Sequence, residues 1–213
     1  MTPATLVSMV KQLALLGATG AATDDTKVYG YLNVGVLKVY EKVSAKYPWA
    51  TQTTQEVTIT AGEGELDPEP LHILRVQDAN NGYLKLDPTD VDAVEDEDPG
   101  LEAEGAPDKF WQEGKLTLKS HPANDTVLKV RFTPLPDDLD ETSTEDDLFL
   151  PKVFHEIYLW ETLKFMAYDE RDKIVGAELA FNEKEYNDLY DLIWRHYDAK
   201  APQKSRQVKA YIG

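Results

Sequence analysis

Apolar residues recur at helical spacing at the start of the chain and predict a first helix. Thr2 can cap this helix, and Pro3 suits its first position because the N–H that proline lacks would be unpaired there anyway. The apolar stripe consists of Leu6, Met9 or Val10, Leu13 and Leu16. The stretch "GATGAAT" then breaks the pattern.

A second amphipathic pattern predicts a helix that "KYPWAT" ends. Its cap is Thr23 or Asp24. Its aliphatic stripe consists of Val28, Leu32, Val36, Val39 and Val43. Gly30 and Gly35 lie inside this helix, where each costs roughly 1 kcal/mol relative to alanine. We therefore expect a neighbouring backbone to approach closely at both glycines.

The pattern changes to period two over about residues 54–136, which predicts strands. "QEVTITAGE" alternates around Val57 and Ile59, and "LHILRVQD" and "YLKLD" read as a strand pair joined by an Asn-Asn-Gly turn. "GKLTLKSHPANDTVLKVRF" repeats strand, turn and strand, with the turn at 122–125. The intervening "DPTDVDAVEDEDPGLEAEGAPD" predicts an exposed acidic loop.

Helical patterns return after a second acidic stretch, "PLPDDLDETSTEDD". One helix is predicted from Leu150 to about Arg171, with apolar residues nearly all the way round, and another from about Val175 to Lys200. The predicted class is therefore α+β, in a single domain of residues 1–213. Helices 2–47 and 148–200 form a bundle, an antiparallel β unit of residues 54–136 is inserted, and an extended C-terminal tail covers 201–213.

Composition narrows the classes of function. The chain has 42% hydrophobic residues, 22 Lys and Arg against 39 Asp and Glu, a formal net charge of −17, and no cysteine. These values exclude disulfides and thiolate chemistry, and they disfavour tight binding to DNA or anionic membranes. The N-terminus lacks the pattern of a signal peptide, and no stretch has the length of a membrane span. We expect a soluble protein, synthesised in the cytoplasm, with no membrane partner.

His155 and Glu156 stand side by side in an apolar segment, which raises the question of a catalytic or metal site. A zinc helix would need a second histidine four residues on, but Leu159 stands there. The four histidines fall in different predicted elements. We predict no metal, no cofactor and no catalytic residue, and interpret this pair as a polar seam on a packed helix.

Glu161 projects among apolar side chains of the same helix. A carboxylate there must be paired, protonated or at an interface. An ion pair between subunits and an edge position with solvent access are both compatible with the pattern. The residues predicted to pack subunits together are Phe154, Ile157, Trp160, Glu161, Phe165, Tyr186 and Trp194.

Two stretches resemble the head–tail adaptor (connector) proteins of tailed bacteriophages, including the tail tubular type. They are "YGYLNVGVLKVYEKVSAKYPWAT" and "DDLFLPKVFHEIYLWETLKFMAYDERDKIVGAELAFNEKEYNDLYDLIWRHY". The resemblance implies a structural virion protein at the neck, assembled in the host cytoplasm as a dodecameric ring below the portal. Such a ring extends the DNA channel and binds a tail or nozzle protein. The β insert is longer and more acidic than the resemblance implies.

The resemblance also implies that the C-terminal tail reaches the portal, and the tail is basic and partly apolar in an acidic protein. Its predicted portal-binding residues are Lys204, Arg206, Val208, Lys209, Tyr211 and Ile212. Acidic residues that either line the DNA path or serve solubility are Asp90, Asp92, Glu95, Asp96, Glu97 and Asp98. Alternative functions are a tail-completion or terminator ring, an acidic DNA mimic, and a hydrolase in which Glu161 converges with a second carboxylate.

Overall fold

A computed structural model describes residues 1–14, 24–99, 103, 105–123, 125–168 and 175–202. The helices are α1 (Pro3–Ala14), α2 (Asp25–Lys46), α3 (Pro48–Thr51), α4 (Val91–Glu97), α5 (Glu156–Tyr168), α6 (Val175–Ala180) and α7 (Glu183–Lys200). The strands are β1 (Thr53–Ile59), β2 (Glu63–Glu65), β3 (Pro70–Asp78), β4 (Leu84–Lys85), β5 (Asp87–Pro88), β6 (Lys109–Glu113), β7 (Thr117–His121) and β8 (Thr126–Pro134). This mixture of helix and sheet confirms the predicted α+β class.

The chain divides into two compact units. A helical unit comprises Met1–Tyr47 and Asp137–Gly213, and a β unit comprises Pro48–Pro136. The predicted insert of residues 54–136 lies inside the β unit. The single-domain assignment stays a prediction.

The first two helices begin where their capping residues predict. The Thr2 hydroxyl accepts a hydrogen bond from the Thr5 backbone N–H at 3.2 Å, and the Asp24 carboxylate accepts one from the Thr26 N–H at 3.1 Å. Both caps satisfy N–H groups that have no partner within the helix. Of the two predicted caps of α2, Asp24 is the one observed. Thr23 and Leu16 lie outside the described residues.

The α5 helix is the centre of the helical unit and contacts α1, α2, α6 and α7. Every side chain from Ile157 to Leu163 is buried, which agrees with the all-round apolar pattern. At Gly35, a Cβ atom would lie only 3.0 Å from the backbone nitrogen of Thr162, so this glycine allows α2 and α5 to approach closely. The same expectation is wrong for Gly30, which is exposed and has nothing within 4 Å of its Cβ position.

The C-terminal helices have different bounds from those predicted. Lys152–Phe154 form a short 3₁₀ turn, and α5 begins at Glu156 rather than at Leu150. The helix predicted over 175–200 is two helices, because the Asn182 side chain accepts hydrogen bonds from the N–H groups of Lys184 and Glu185 and starts α7 anew. Arg171, the predicted end of the preceding helix, lies outside the described residues.

The β unit consists of two four-stranded sheets, in the orders β1-β8-β3-β4 and β2-β7-β6-β5. Their inner faces share one apolar core, which includes Val57, Ile59, Leu118, Val130 and Phe132. The predicted pairing across the Asn-Asn-Gly turn is confirmed, since β3 pairs with β4. Among the described residues, the strand pairs are antiparallel except β5 with β6, which is parallel, so the predicted purely antiparallel unit is wrong in that detail.

Two other predictions for this unit are wrong. The strands that flank residues 122–125 are not a hairpin, since β7 and β8 belong to different sheets that face the same core. The acidic loop of residues 87–108 contains the short strand β5 and helix α4. The Asp90 side chain caps α4 by accepting a hydrogen bond from the Ala93 N–H at 2.8 Å, and Val94 anchors the helix by being fully buried.

Candidate functional site

His155 is a structural residue that joins the N-terminus to the start of α5. It is 2% exposed, and its ring nitrogens lie 2.8 Å from the Met1 carbonyl oxygen and 2.7 Å from the Leu150 carbonyl oxygen. The Met1 ammonium also pairs with Glu145 at 3.2 Å. Both ring nitrogens are therefore occupied by backbone, and the neighbouring Glu156 is exposed. Within the described ranges, no group of three His, Asp or Glu side chains is placed to hold a metal ion.

Glu161 is buried at 5% exposure and finds its partners inside its own chain. It accepts hydrogen bonds from Lys42, from the Tyr186 hydroxyl at 2.9 Å and from the Tyr190 hydroxyl at 2.6 Å. Burial raises the pKa of Tyr190, and the adjacent Glu161 carboxylate raises it further. Partners within its own chain thus account for the burial of Glu161, and its role in packing subunits stays a prediction. It also faces a lysine and two tyrosines instead of the second carboxylate that a hydrolase would need.

The residues predicted to pack subunits lie mainly in the core of the helical unit. Buried side chains among them are Phe154, Ile157, Trp160, Glu161 and Tyr186, whereas Phe165 and Trp194 are half-buried. Among the described residues of this unit, the most exposed large apolar side chains are instead Val153 at 75%, Tyr168 at 71% and Leu192 at 50%. Sequence periodicity missed these three because they belong to element ends or to the outer face of a helix.

The acidic residues of the predicted loop lie on and beside α4. Asp92, Glu95 and Asp96 are exposed. Glu97 forms an ion pair with Lys109, and the Asp98 carboxylate accepts a hydrogen bond from the Ala103 N–H at 2.7 Å. Asp90 is the helix cap described above. Part of the predicted acidic surface is therefore tied into the β unit, and the carboxylates of Asp92, Glu95 and Asp96 remain open to solvent.

A groove opens between α2 and the segment of residues 139–142, and we call it the Gly30 groove. Its lining residues are Thr26, Tyr29, Gly30, Asn33, Leu139, Asp140, Glu141 and Thr142, and its volume is about 430 Å³. Asn33 fixes the two walls together, because its side chain donates to the Leu139 carbonyl at 3.1 Å and accepts from the Leu139 N–H at 2.8 Å. No sequence pattern indicated this groove, apart from the unexplained Gly30.

Burial raises the pKa of Tyr29 in this groove, and the carboxylates of Glu141 and Asp140 raise it further. The Asp140 carboxylate accepts hydrogen bonds from Thr142 and Ser143, and these hold the pKa of Asp140 below its ordinary value. The groove therefore presents a neutral phenol beside two negative charges at neutral pH.

The predicted portal-binding residues of the tail lie outside the described residues. In the part of the chain that is described, no helix is both long and apolar enough to cross a membrane.

Comparison with known proteins identifies the family. The family model described as "SU10 adaptor protein" matches residues 1–207. A comparison with curated proteins gave no match. The family match agrees with the resemblance to phage head–tail adaptors, and it denotes a structural component of the virion that interacts with other virion proteins and is not an enzyme class. The chain belongs to the SU10 adaptor protein family.

Proposed function

We propose that this protein is a head–tail adaptor whose copies form a ring, a dodecamer by resemblance, below the portal at the virion neck. The ring extends the DNA channel and gives a tail or nozzle protein its attachment site. The observation that carries the proposal is the family match over residues 1–207. Assembly takes place in the host cytoplasm.

Exposed apolar side chains of the helical unit support a role in assembly. Val153 and Tyr168 are each more than 70% exposed, and exposed aromatic and aliphatic side chains are typical anchors of protein interfaces. We propose these two residues and the half-exposed Leu192 as subunit or portal contacts. We propose that the buried residues predicted to pack subunits support this interface from within the helical unit.

The net charge of −17 supports a channel through which DNA passes without binding. We propose that Asp92, Glu95 and Asp96, which are exposed on α4, contribute to this surface. Neutralising these three carboxylates should slow DNA passage during packaging or ejection. Unchanged packaging and ejection would assign the acidic residues to solubility alone.

The basic tail supports binding to the portal. Residues 203–213 contain Lys204, Arg206 and Lys209, no acidic residue, and the apolar Val208, Tyr211 and Ile212. A ring presents many copies of this segment at once, so weak single contacts sum to a firm attachment.

The test is to mix the purified chain with portal protein and to measure co-purification, mass and images of the complex. We expect a ring that forms on the portal, and more readily at high salt because salt screens the repulsion between acidic subunits. Deleting residues 203–213 should leave the subunit folded and abolish co-purification. A tight dimer that is indifferent to both portal and salt would contradict the proposal.

A further inference from the structure

The Gly30 groove presents a hydrogen-bond donor, the Tyr29 hydroxyl. Tyr29 is 7% exposed, it borders the groove and the adjoining cavity next to α1, and its hydroxyl makes no hydrogen bond within the described residues. Tyr29 is therefore available to donate a hydrogen bond to a group that enters the groove.

The walls of the groove define the chemistry of that ligand. Glu141 is exposed and has no ion-pair or hydrogen-bond partner among the described residues, and the anionic Asp140 lies beside it. Gly30 leaves open space above the backbone of α2, where a chain can lie flat. The groove thus fits an extended peptide with a basic side chain and carbonyl acceptors.

We propose that the Gly30 groove is a docking site for the C-terminal tail of the same chain, residues 203–213. Charge complementarity is the first argument, because the tail carries Lys204, Arg206 and Lys209 without any acidic residue in a chain of net charge −17. Its apolar side chains near the end, Tyr211 and Ile212, suit the apolar part of the groove at Leu139.

Reach is the second argument. The tail follows α7, and close to the end of α7 the Asp198 carboxylate accepts a hydrogen bond from the Tyr47 hydroxyl at 2.6 Å. Tyr47 is the residue that follows α2, and Gly30 lies about 25 Å back along that helix, at about 1.5 Å per residue. The tail spans about 36 Å when extended. Its last residues, from Lys209 onward, therefore reach the groove of their own subunit.

This docking goes beyond the proposed function because it concerns the chain before any portal is present. The natural chain has no cysteine, so introduced cysteines react selectively. We would combine Ala210→Cys with Gly30→Cys in the full chain and treat it with a short bis-maleimide cross-linker. The matched control combines Ala210→Cys with Ala45→Cys, a position that is also exposed on α2 but lies two residues before Tyr47 and thus closer to the start of the tail.

A freely moving tail meets the nearer Ala45 position more often, whereas a docked tail meets Gly30. We expect the Gly30 pair to cross-link several-fold faster and to run as a monomer on a denaturing gel. Equal or faster reaction of the Ala45 pair would overturn the proposal. A dimeric product would overturn it in favour of the tail of a second copy.

Charge reversal tests the recognition itself. Glu141→Lys should slow cross-linking of the Gly30 pair several-fold, whereas Asp188→Lys, the same charge change on the exposed side of α7, should leave the rate unchanged. Equal slowing by both variants would overturn recognition by the groove. None of these experiments contains portal, so their failure leaves the proposed function standing, and failure of portal binding leaves the docking standing.

Discussion

Lys42 forms an ion pair with a buried carboxylate of the helical unit, that of Glu161. Removing one partner of a buried pair leaves the other charge uncompensated. We expect Lys42→Met to lower the free energy of unfolding by about 2–3 kcal/mol, measured by urea denaturation. Lys38→Met removes only the exposed ion pair with Glu41 on the same helix and should cost less than about 0.5 kcal/mol.

The double variant Lys42→Met with Glu161→Gln gives the decisive comparison. The neutral amide no longer needs a cation, so the double variant should be more stable than Lys42→Met alone. Simple addition of the two single losses would show that Lys42 and Glu161 do not act as a pair.

Asp78 is fully buried at the start of the turn between β3 and β4. Burial alone would raise the pKa of Asp78, but hydrogen bonds from the Asn81 and Thr126 side chains and from the backbone N–H groups of Asn80 and Asn81 outweigh it and lower the pKa. Because the pKa is lower in the folded than in the unfolded chain, this stabilisation is complete above about pH 4. It is lost as the pH falls through the folded pKa.

Asp78→Asn should therefore lower stability by about 1–3 kcal/mol at neutral pH and flatten the acid limb of the stability profile. Unfolding free energies between about pH 3 and 7 measure both effects. Asp92→Asn, an exposed carboxylate of the same unit, is the control and should change neither. An acid limb as steep as that of the natural chain would contradict this role of Asp78.

Helix caps formed by single residues were predictable from sequence, whereas contacts between residues far apart in the chain were not. The caps at Thr2 and Asp24 follow from side chains that reach an N–H two or three residues away. Glu161 was recognisable as a buried charge, but Lys42 is 119 residues distant in the chain, so only the packing of α2 on α5 reveals it.

At the scale of elements, the two glycines of α2 have opposite consequences. Gly35→Ala should destabilise the protein by about 1–3 kcal/mol, since the methyl group would overlap the Thr162 side-chain oxygen, crowd the Thr162 backbone and force α2 and α5 apart. Gly30→Ala should stabilise it by about 0.5–1 kcal/mol, because the site is open and alanine favours the helix. Thermal or urea denaturation of the two variants measures both effects. Losses of equal size would contradict the distinction between a close contact at Gly35 and open space at Gly30.

Periodicity located most elements but misjudged their ends and partners. A continuous helical pattern over 175–200 hides the break at Asn182, whose side chain competes with the helix by capping the next one. An alternating pattern predicts which side chains of β7 and β8 face the core. The pattern is the same, however, whether the two strands belong to one sheet or to two sheets that face each other. The acidic composition of residues 87–108 concealed a short helix that a single buried side chain, Val94, anchors.

At the scale of the whole molecule, composition excluded classes of function, and the order of elements indicated the family. Neither revealed the Gly30 groove, because its two walls are about a hundred residues apart in the chain. The helical unit as a whole also consists of two segments that are separated in the chain, Met1–Tyr47 and Asp137–Gly213. The β unit is one uninterrupted segment, Pro48–Pro136.

We therefore expect the segment of residues 48–136 to fold by itself, since the described residues of its core cluster, from Val57 to Phe132, all lie within it. Circular dichroism and cooperative thermal unfolding of this fragment measure the outcome. The matched fragment of residues 1–47 contains α1 and α2 but lacks α5, against which both pack, and should remain largely unfolded. A fragment 48–136 without a cooperative transition would contradict the independence of the β unit.

The divided helical unit also has a consequence during synthesis on the ribosome. The apolar stripes of α1 and α2 emerge first, but their partner α5 begins only at Glu156, after the whole β unit has been translated. At roughly 5–20 residues per second, these stripes wait on the order of ten seconds without a partner. The nascent chain therefore exposes an aggregation-prone surface for that interval, and the host's chaperones have a defined period in which to protect it.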